Sequence, residues 1–278
     1  MPFGFSADHQ YTHESGRVFG TGLEARKHVG RTQLFSPAQG LIDRSQWPAL
    51  IASGAGNLSA AVRCILNQTS HPWCWAFSAT QAAMMLAWLL YRRPIVFDPG
   101  LGPIVTHVYG GNSIDDMLLR VQASVGCVPA SDTGSDPVAG SLVLNQGKWA
   151  PKWSVDAAAH TIDGWRECAS FEAFVSGLLS GYPGVLGVDW QGGGHALACG
   201  LVTSENGTFF LHGPNSWGLE FDSGWGSDPD RPGWWKLSEK QVADAFTGYA
   251  YGGYVICHEL TDPSLDPSPA PTLQESLV

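Results

Sequence analysis

The sequence predicts an α+β fold with two segregated lobes. Three observations lead there. Apolar residues recur at helical spacing between residues 74 and 125. After residue 184 the apolar runs become short and β-branched, with Gly, Pro and Asn clusters between them. The composition is rich in Gly and Trp, with 34 and 12 of them, and only 14% charged, which suits loops and strands better than long solvated helices. Helices first and strands second is the order of a segregated α+β fold. The 278 residues suit one large domain or two small ones.

Residues 1–57 hold Gly, Ser, His and short apolar clusters without sustained periodicity, and read as an N-terminal extension of loops and short strands. The pattern changes at Asn57. A polar turn ends in Pro72, which is tolerated in a first helical turn because its missing N–H would be unpaired there. A helix is predicted over Cys74–Leu90. It is apolar on nearly all sides and so central and buried. Tyr91-Arg92-Arg93 place positive charge at its C-terminal end, and Pro94 stops it.

A second helix follows Gly110-Gly111. Ser113 and Asp116 resemble a capping box, and Ile114, Met117, Leu118, Val121 and Val125 keep helical spacing up to the stop at Gly126. A third runs from Ser170 to Leu179 and ends at Gly181-Tyr182-Pro183-Gly184. Strands are expected over 185–190, 196–202, 208–211, 234–237 and 251–257. The tail 261–278 is Pro/Ser-rich and expected to be extended. The main domain therefore spans 58–260, its helical lobe about 58–140 and its β lobe about 141–260.

Charge excludes some partners. With 15 basic against 25 acidic residues the net charge is −10. Arg26-Lys27 with Arg31, and Arg92-Arg93, are too short to form the basic stripe that phosphate neutralisation needs. No nucleic acid and no anionic membrane are expected as partners. The N-terminus has neither a basic nor an apolar signal region, and the apolar run 82–90 is far short of the ~20 residues of a membrane helix. A cytoplasmic location, or one inside an intracellularly assembled particle, is the expectation. The six cysteines, at 64, 74, 127, 168, 199 and 257, show no metal or dithiol spacing. No metal and no cofactor are expected, and most of these thiols read as small buried hydrophobes.

Cys74 differs from the other five because it opens a helix. The partial positive charge there favours thiolate, the nucleophilic form. Gln68 lies six positions earlier. It is either an exposed turn residue or a side-chain amide placed to stabilise an oxyanion. His195 follows Gly192-Gly193-Gly194 at the start of a predicted strand. Such a His is either a satisfied core residue or a ring facing a cleft. Asn215 and Trp217 lie in Gly213-Pro214-Asn215-Ser216-Trp217-Gly218 at the end of another strand. An amide oxygen there could fix the tautomer of His195.

Cys74-Trp75-Ala76-Phe77-Ser78, the Gly194-His195-Ala196 step and Asn215-Ser216-Trp217-Gly218, in that order, resemble the papain-like cysteine peptidases. Pro183-Gly184-Val185, Trp225-Gly226 and Gly233-Trp234-Trp235-Lys236-Leu237 extend the similarity over about 58–258. The resemblance implies a papain-like two-lobed fold, with a helical left lobe around the central helix, a β right lobe and the cleft between them. It implies a cysteine endopeptidase that cuts a protein or peptide substrate through a thioester acyl-enzyme. Cys74 would be the nucleophile, His195 the acid/base, Asn215 its orienter and Gln68 an oxyanion donor. Gly110 and Gly111 would pair with the bound peptide. Trp73 replaces a small residue and would narrow the cleft, Gly194 stands where an acidic residue is common, and Trp217 would cover the His195–Asn215 bond.

The sequence also departs from the family. His71 and Val108 occupy both places of a common disulfide, which fits a reducing compartment. His71 is expected to be structural or at the surface. No helical inhibitory prosegment precedes the domain, so residues 1–57 form either an alternative cap or part of the mature fold. The rival reading is a catalytically weak module in a larger assembly, with a protein partner bound through the N-terminal segment or the C-terminal tail. A transglutaminase-like or cell-wall amidase fold is a third, disfavoured by the Asn-Ser-Trp-Gly motif and the upstream Gln.

Overall fold

A computed structural model describes residues 10–12, 16–25, 40–143, 151–162, 164–246, 251–256 and 260–261. In chain order the elements are β1 (Gln10–Thr12), β2 (Val18–Gly20), α1 (Trp47–Ala52), α2 (Cys74–Tyr91), α3 (Leu101–Thr106) and α4 (Ile114–Asp116). They continue with α5 (Ala130–Thr133), α6 (Pro151–Ala158), β3 (Thr161–Ile162), β4 (Trp165–Cys168) and α7 (Phe171–Leu179). The remainder is β5 (Gly184–Trp190), β6 (Gly193–Cys199), β7 (Leu201–Glu205), β8 (Thr208–Pro214), β9 (Trp234–Ser238), β10 (Gly253–Ile256) and β11 (Leu260–Thr261). The architecture is α+β, with the helices α2–α5 gathered in the first half of the chain.

Two antiparallel sheets build the β lobe, in the orders β4-β10-β5-β6 and β7-β8-β9. Helix α2 is the spine of the molecule. Every residue from Cys74 to Ala87 is buried, as its all-round apolar sequence requires. It runs one residue beyond the predicted Leu90, to Tyr91, and is capped by Arg92 in the left-handed region at φ 52°, within the predicted charged end. One core surrounds α2 and takes in Leu101, Ile114, Met117, Leu118 and Val121, with Val185, Ala196 and Tyr254 from the sheet. A second core lies between α7 and the sheets. Trp47 of the N-terminal extension completes that second core: it is fully buried and meets Phe209 edge-on, 4.9 Å between centroids.

The structure corrects two local expectations. Ser113 makes no capping box with Asp116, and its buried Oγ has no hydrogen-bond partner. Asn112, one residue earlier, takes that role: its Oδ1 accepts from the Ser113 N–H at 2.9 Å and its Nδ2 donates to Asp116 Oδ2 at 2.7 Å. The helix then widens into a π-helical turn over Met117–Gln122. The second correction is that residues 196–202 form no single strand. Gly200 separates β6 from β7, and the chain passes there from one sheet to the other. A Cβ at Gly200 would lie 2.9 Å from Met85 Sδ, so a side chain at this corner would push the Met85 thioether on α2 aside.

Helices α1, α3 and α6 and strand β4 were not expected from the sequence. In α3, Gly102 and Pro103 hide the helical pattern. Gly102 is there because a Cβ would sit 3.0 Å from Ala76 Cβ on α2. Among the described residues no helix is long and apolar enough to cross a membrane.

Candidate active site

Three chain segments meet at the N-terminal end of α2. Cys74 is its first residue. The neighbouring strand β6 brings His195, and Asn215 follows directly after β8. The backbone N–H of Ala196, the residue next to His195, is among the groups that lower the Cys74 thiol against its burial. His195 Nε2 and Asn215 Oδ1 are 2.9 Å apart. An amide oxygen can only accept, so Nε2 carries the proton and Nδ1 is left as the ring's acceptor. Nδ1 is buried and makes no hydrogen bond. The Asn215 N–H donates to the Gly233 carbonyl at 2.8 Å, which fixes the backbone that presents the amide.

Aromatic rings enclose the His195–Asn215 bond. Trp217 stacks on His195 at 4.4 Å and 27°. Trp190, which the sequence reading did not single out, meets the same imidazole edge-on at 5.3 Å and 70°. The register contains the signal that would have found it. The hairpin turns through Gln191 and Gly192, both at positive φ, so Trp190 pairs with Gly193 and lies diagonally beside His195 on the same face.

Gln68 is fully buried beside the same corner. Its Nε2 donates to the His71 carbonyl at 2.6 Å. Its Oε1 accepts from the Ser216 hydroxyl, and its N–H donates to the Ser216 carbonyl at 2.7 Å. Ser216 is thus a second residue that the sequence reading missed. His71 stays within its own loop, its Nδ1 within 3.0 Å of Thr69 Oγ1 and 2.9 Å of the Gln68 carbonyl.

Of the other residues singled out in the sequence, Trp73 is buried at 1% exposure and its indole donates to the Tyr109 carbonyl at 3.0 Å. Gly110 accepts from the Trp75 indole at 3.3 Å. Gly111 and Gly194 face each other across residues 22–24 of the same chain, which run between the two lobes. The Asn112 N–H donates to the Gly22 carbonyl at 2.8 Å, and the Glu24 N–H to the Asn112 carbonyl at 2.9 Å. On the opposite wall the N–H groups of Gly22 and Leu23 both reach the Gly194 carbonyl, at 3.2 and 3.0 Å. Phe19 stacks on Trp217 at 4.8 Å and 17°.

This cover reverses the charge state expected at a helix start. Burial pushes the Cys74 thiol up to about 12, against backbone N–H donors that pull the other way. Burial also lowers His195 to about 4, outweighing the Asn215 hydrogen bond. Burial thus favours the neutral form of both the thiol and the imidazole. The five described cysteines are all free, and Cys257 lies outside the described residues. Among the described residues no group of three or more His, Cys, Asp or Glu is placed to hold a metal ion.

No protein-family model matches the chain, and no curated protein sequence does. Solved structures do match. Xylellain, a cysteine protease from Xylella fastidiosa, superposes with a TM-score of 0.59 at 16% identity, over 87% of this chain and 97% of its own. ProCathepsin B S9 from Trypanosoma congolense gives 0.57 at 12% identity, over 89% and 86%. Digestive procathepsin L 3 of the Tenebrio molitor larval midgut gives 0.51 at 17%, over 70% and 66%. The fold of this chain is the papain-like cysteine-protease fold.

Proposed function

We propose that this chain is a papain-like cysteine endopeptidase acting on protein or peptide substrates. One observation carries the reading: His195 Nε2 donates to Asn215 Oδ1 beneath Trp217, its other ring nitrogen is buried, and Cys74 opens helix α2.

In the open site the Cys74 thiol gives its proton to His195 Nδ1, and the thiolate attacks the substrate carbonyl carbon. The resulting oxyanion is held by Gln68 Nε2 and the Cys74 N–H. The His71 carbonyl accepts an amide hydrogen of Gln68 and so fixes the orientation of that side chain. His195 then protonates the leaving amine, and a thioester remains on Cys74. Water attacks the thioester with His195 as base, releasing the acid product and restoring the thiol. Asn215 holds the ring in the tautomer that each step needs.

The test is hydrolysis of a fluorogenic peptide library by the chain and by Cys74→Ala and His195→Ala. Loss of all cleavage in both variants is expected, by roughly a thousandfold or more. Cleavage that persists in Cys74→Ala excludes a thiol mechanism. A site that never turns over peptide, even with its cleft cleared, leaves a binding module.

A further inference from the structure

Taking the peptidase reading as its basis, we propose that Asp228 and His212 form a buried clamp that positions Asn215 for its bond to His195. The Asn215 amide is held at one atom. Its Oδ1 receives the imidazole N–H, but its Nδ2 is buried and makes no hydrogen bond. The backbone must therefore set where the amide stands. That backbone is fixed by the Asn215 N–H on the Gly233 carbonyl at 2.8 Å, so the loop that carries Gly233 sets the position.

Asp228 closes that loop. Its N–H donates to the Trp234 carbonyl at 2.9 Å, and its own carbonyl receives the Arg231 N–H at 3.2 Å. Its Oδ1 accepts from the Asp230 N–H at 3.0 Å, and its Oδ2 from Arg231 Nη1 at 3.1 Å. The Trp234 N–H returns to the Arg231 carbonyl at 3.0 Å, and the Gly233 N–H reaches the Phe221 carbonyl at 2.7 Å. Gly233 stands at φ 78°, and a Cβ there would lie 2.9 Å from the Gly218 carbonyl oxygen.

His212 ties this loop to the strand that leads into Asn215. It lies on β8 and pairs with Lys236 of β9, as Pro214 next to Asn215 pairs with Trp234. Its Nδ1 donates to Asp228 Oδ2 at 2.8 Å, and its Nε2 accepts from the Thr203 hydroxyl at 2.7 Å. His212 and Asp228 are 2% and 1% exposed. Burial works against the Asp228 carboxylate, yet its bonds to His212, Asp230 and Arg231 hold it below the usual carboxylate range. Removing one partner of a buried charge leaves the other uncompensated, so this corner resists any other arrangement. Neither side chain bonds to His195 or to the Asn215 amide. Both act through the backbone on either side of Asn215, and so are positioning residues.

The test uses the full chain with 15N-labelled histidine and the variants Asp228→Asn, His212→Leu, His212→Asn and Thr203→Val. The readout is the solvent exchange rate of the His195 Nε2 proton by NMR, assigned by its absence in His195→Gln. Asp228→Asn and His212→Leu are expected to speed this exchange by about tenfold or more, the scale of one lost charge-assisted hydrogen bond. They should lower peptide kcat by about tenfold with KM little changed. His212→Asn places an amide nitrogen where Nδ1 stands and should restore both values. Circular dichroism checks folding. Thr203→Val, at a half-buried position, tests the same network if the other two fail to fold, with about threefold faster exchange expected. Wild-type exchange in every folded variant overturns the clamp, as does a loss of stability that leaves the His195 proton unmoved. Faster exchange in a chain that hydrolyses no peptide leaves the clamp standing and overturns the peptidase reading instead.

Discussion

The Trp217 indole lies 4.4 Å from the His195 imidazole with 27° between the rings, and Phe19 stacks on the same indole at 4.8 Å and 17°. One tryptophan thus serves two states. It shields the His195–Asn215 hydrogen bond from water, and it is a landing surface for the segment that covers the site. An aromatic stack of this kind is worth about 0.5–1.5 kcal/mol beyond area burial.

Trp217→Ala is expected to act in two directions. It lowers peptide kcat/KM by about tenfold, because water reaches the His195–Asn215 bond. It raises the Cys74 alkylation rate, because Phe19 loses its platform. Trp217→Phe keeps both effects small. Loss of labelling together with loss of hydrolysis contradicts the double role.

Ser216 and Gln68 form a coupled pair. The Ser216 hydroxyl donates to Gln68 Oε1, so in the proposed mechanism it is a positioning residue for the Gln68 amide. Gln68→Ala is expected to lower kcat by about 10²-fold, the usual effect of losing one oxyanion donor. Ser216→Ala is expected to lower kcat several-fold with KM little changed. The double variant should be no worse than Gln68→Ala alone, since a positioning residue has nothing left to position. Additive losses in the double variant exclude the positioning role.

The covered site gives stability a defined pH window. Burial holds His195 at about 4, below its unfolded value of 6.5. The folded state therefore binds that proton less readily than the unfolded chain. Stability is intact above about 6.5 and falls as the pH drops towards 4, by at most about 1.4 kcal/mol per pH unit. Burial lowers His212 as well, against its bond to Asp228, and adds to the same acid limb. The buried thiols Cys74, Cys127 and Cys199, pushed up to about 12, act oppositely and withdraw stability above about 9. Thermal unfolding followed from pH 4 to 10 should show a plateau between these limits. His195→Gln should flatten the acid limb, and an unchanged slope in that variant excludes the His195 contribution.

The sequence and the structure agree best where chemistry restricts residue choice. The motifs single out Cys74, His195 and Asn215, and the structure sets Cys74 at the start of α2 and joins His195 to Asn215; α2 itself was visible because its burial is complete. The corner at Gly200 was not, since the residues on both sides are equally apolar and only Met85, far along the chain, shows why a glycine stands there. The covering segment was still less visible. Phe19 and Leu23 are isolated apolar residues in a run without period, and their partners Trp217 and Tyr251 lie some two hundred positions away. Gly22 reads as one glycine among 34 until the Pro72 carbonyl is seen against it.

Trp190 offers the most exacting test of how the aromatic enclosure is balanced. Its ring meets His195, Trp217, Phe221 and Trp225 at centroid distances of 4.7 to 5.7 Å, so its removal leaves a large cavity beside the imidazole. Trp190→Ala is expected to cost about 3–5 kcal/mol in urea unfolding. Yet its indole N–H is buried with no acceptor, and such an orphan costs about 1–3 kcal/mol. Trp190→Phe removes the orphan and keeps most of the ring, so the two effects nearly cancel. That variant should unfold within about 1 kcal/mol of the wild type. A loss as large as that of the Ala variant means the N–H finds a partner, such as a bound water, that offsets its burial.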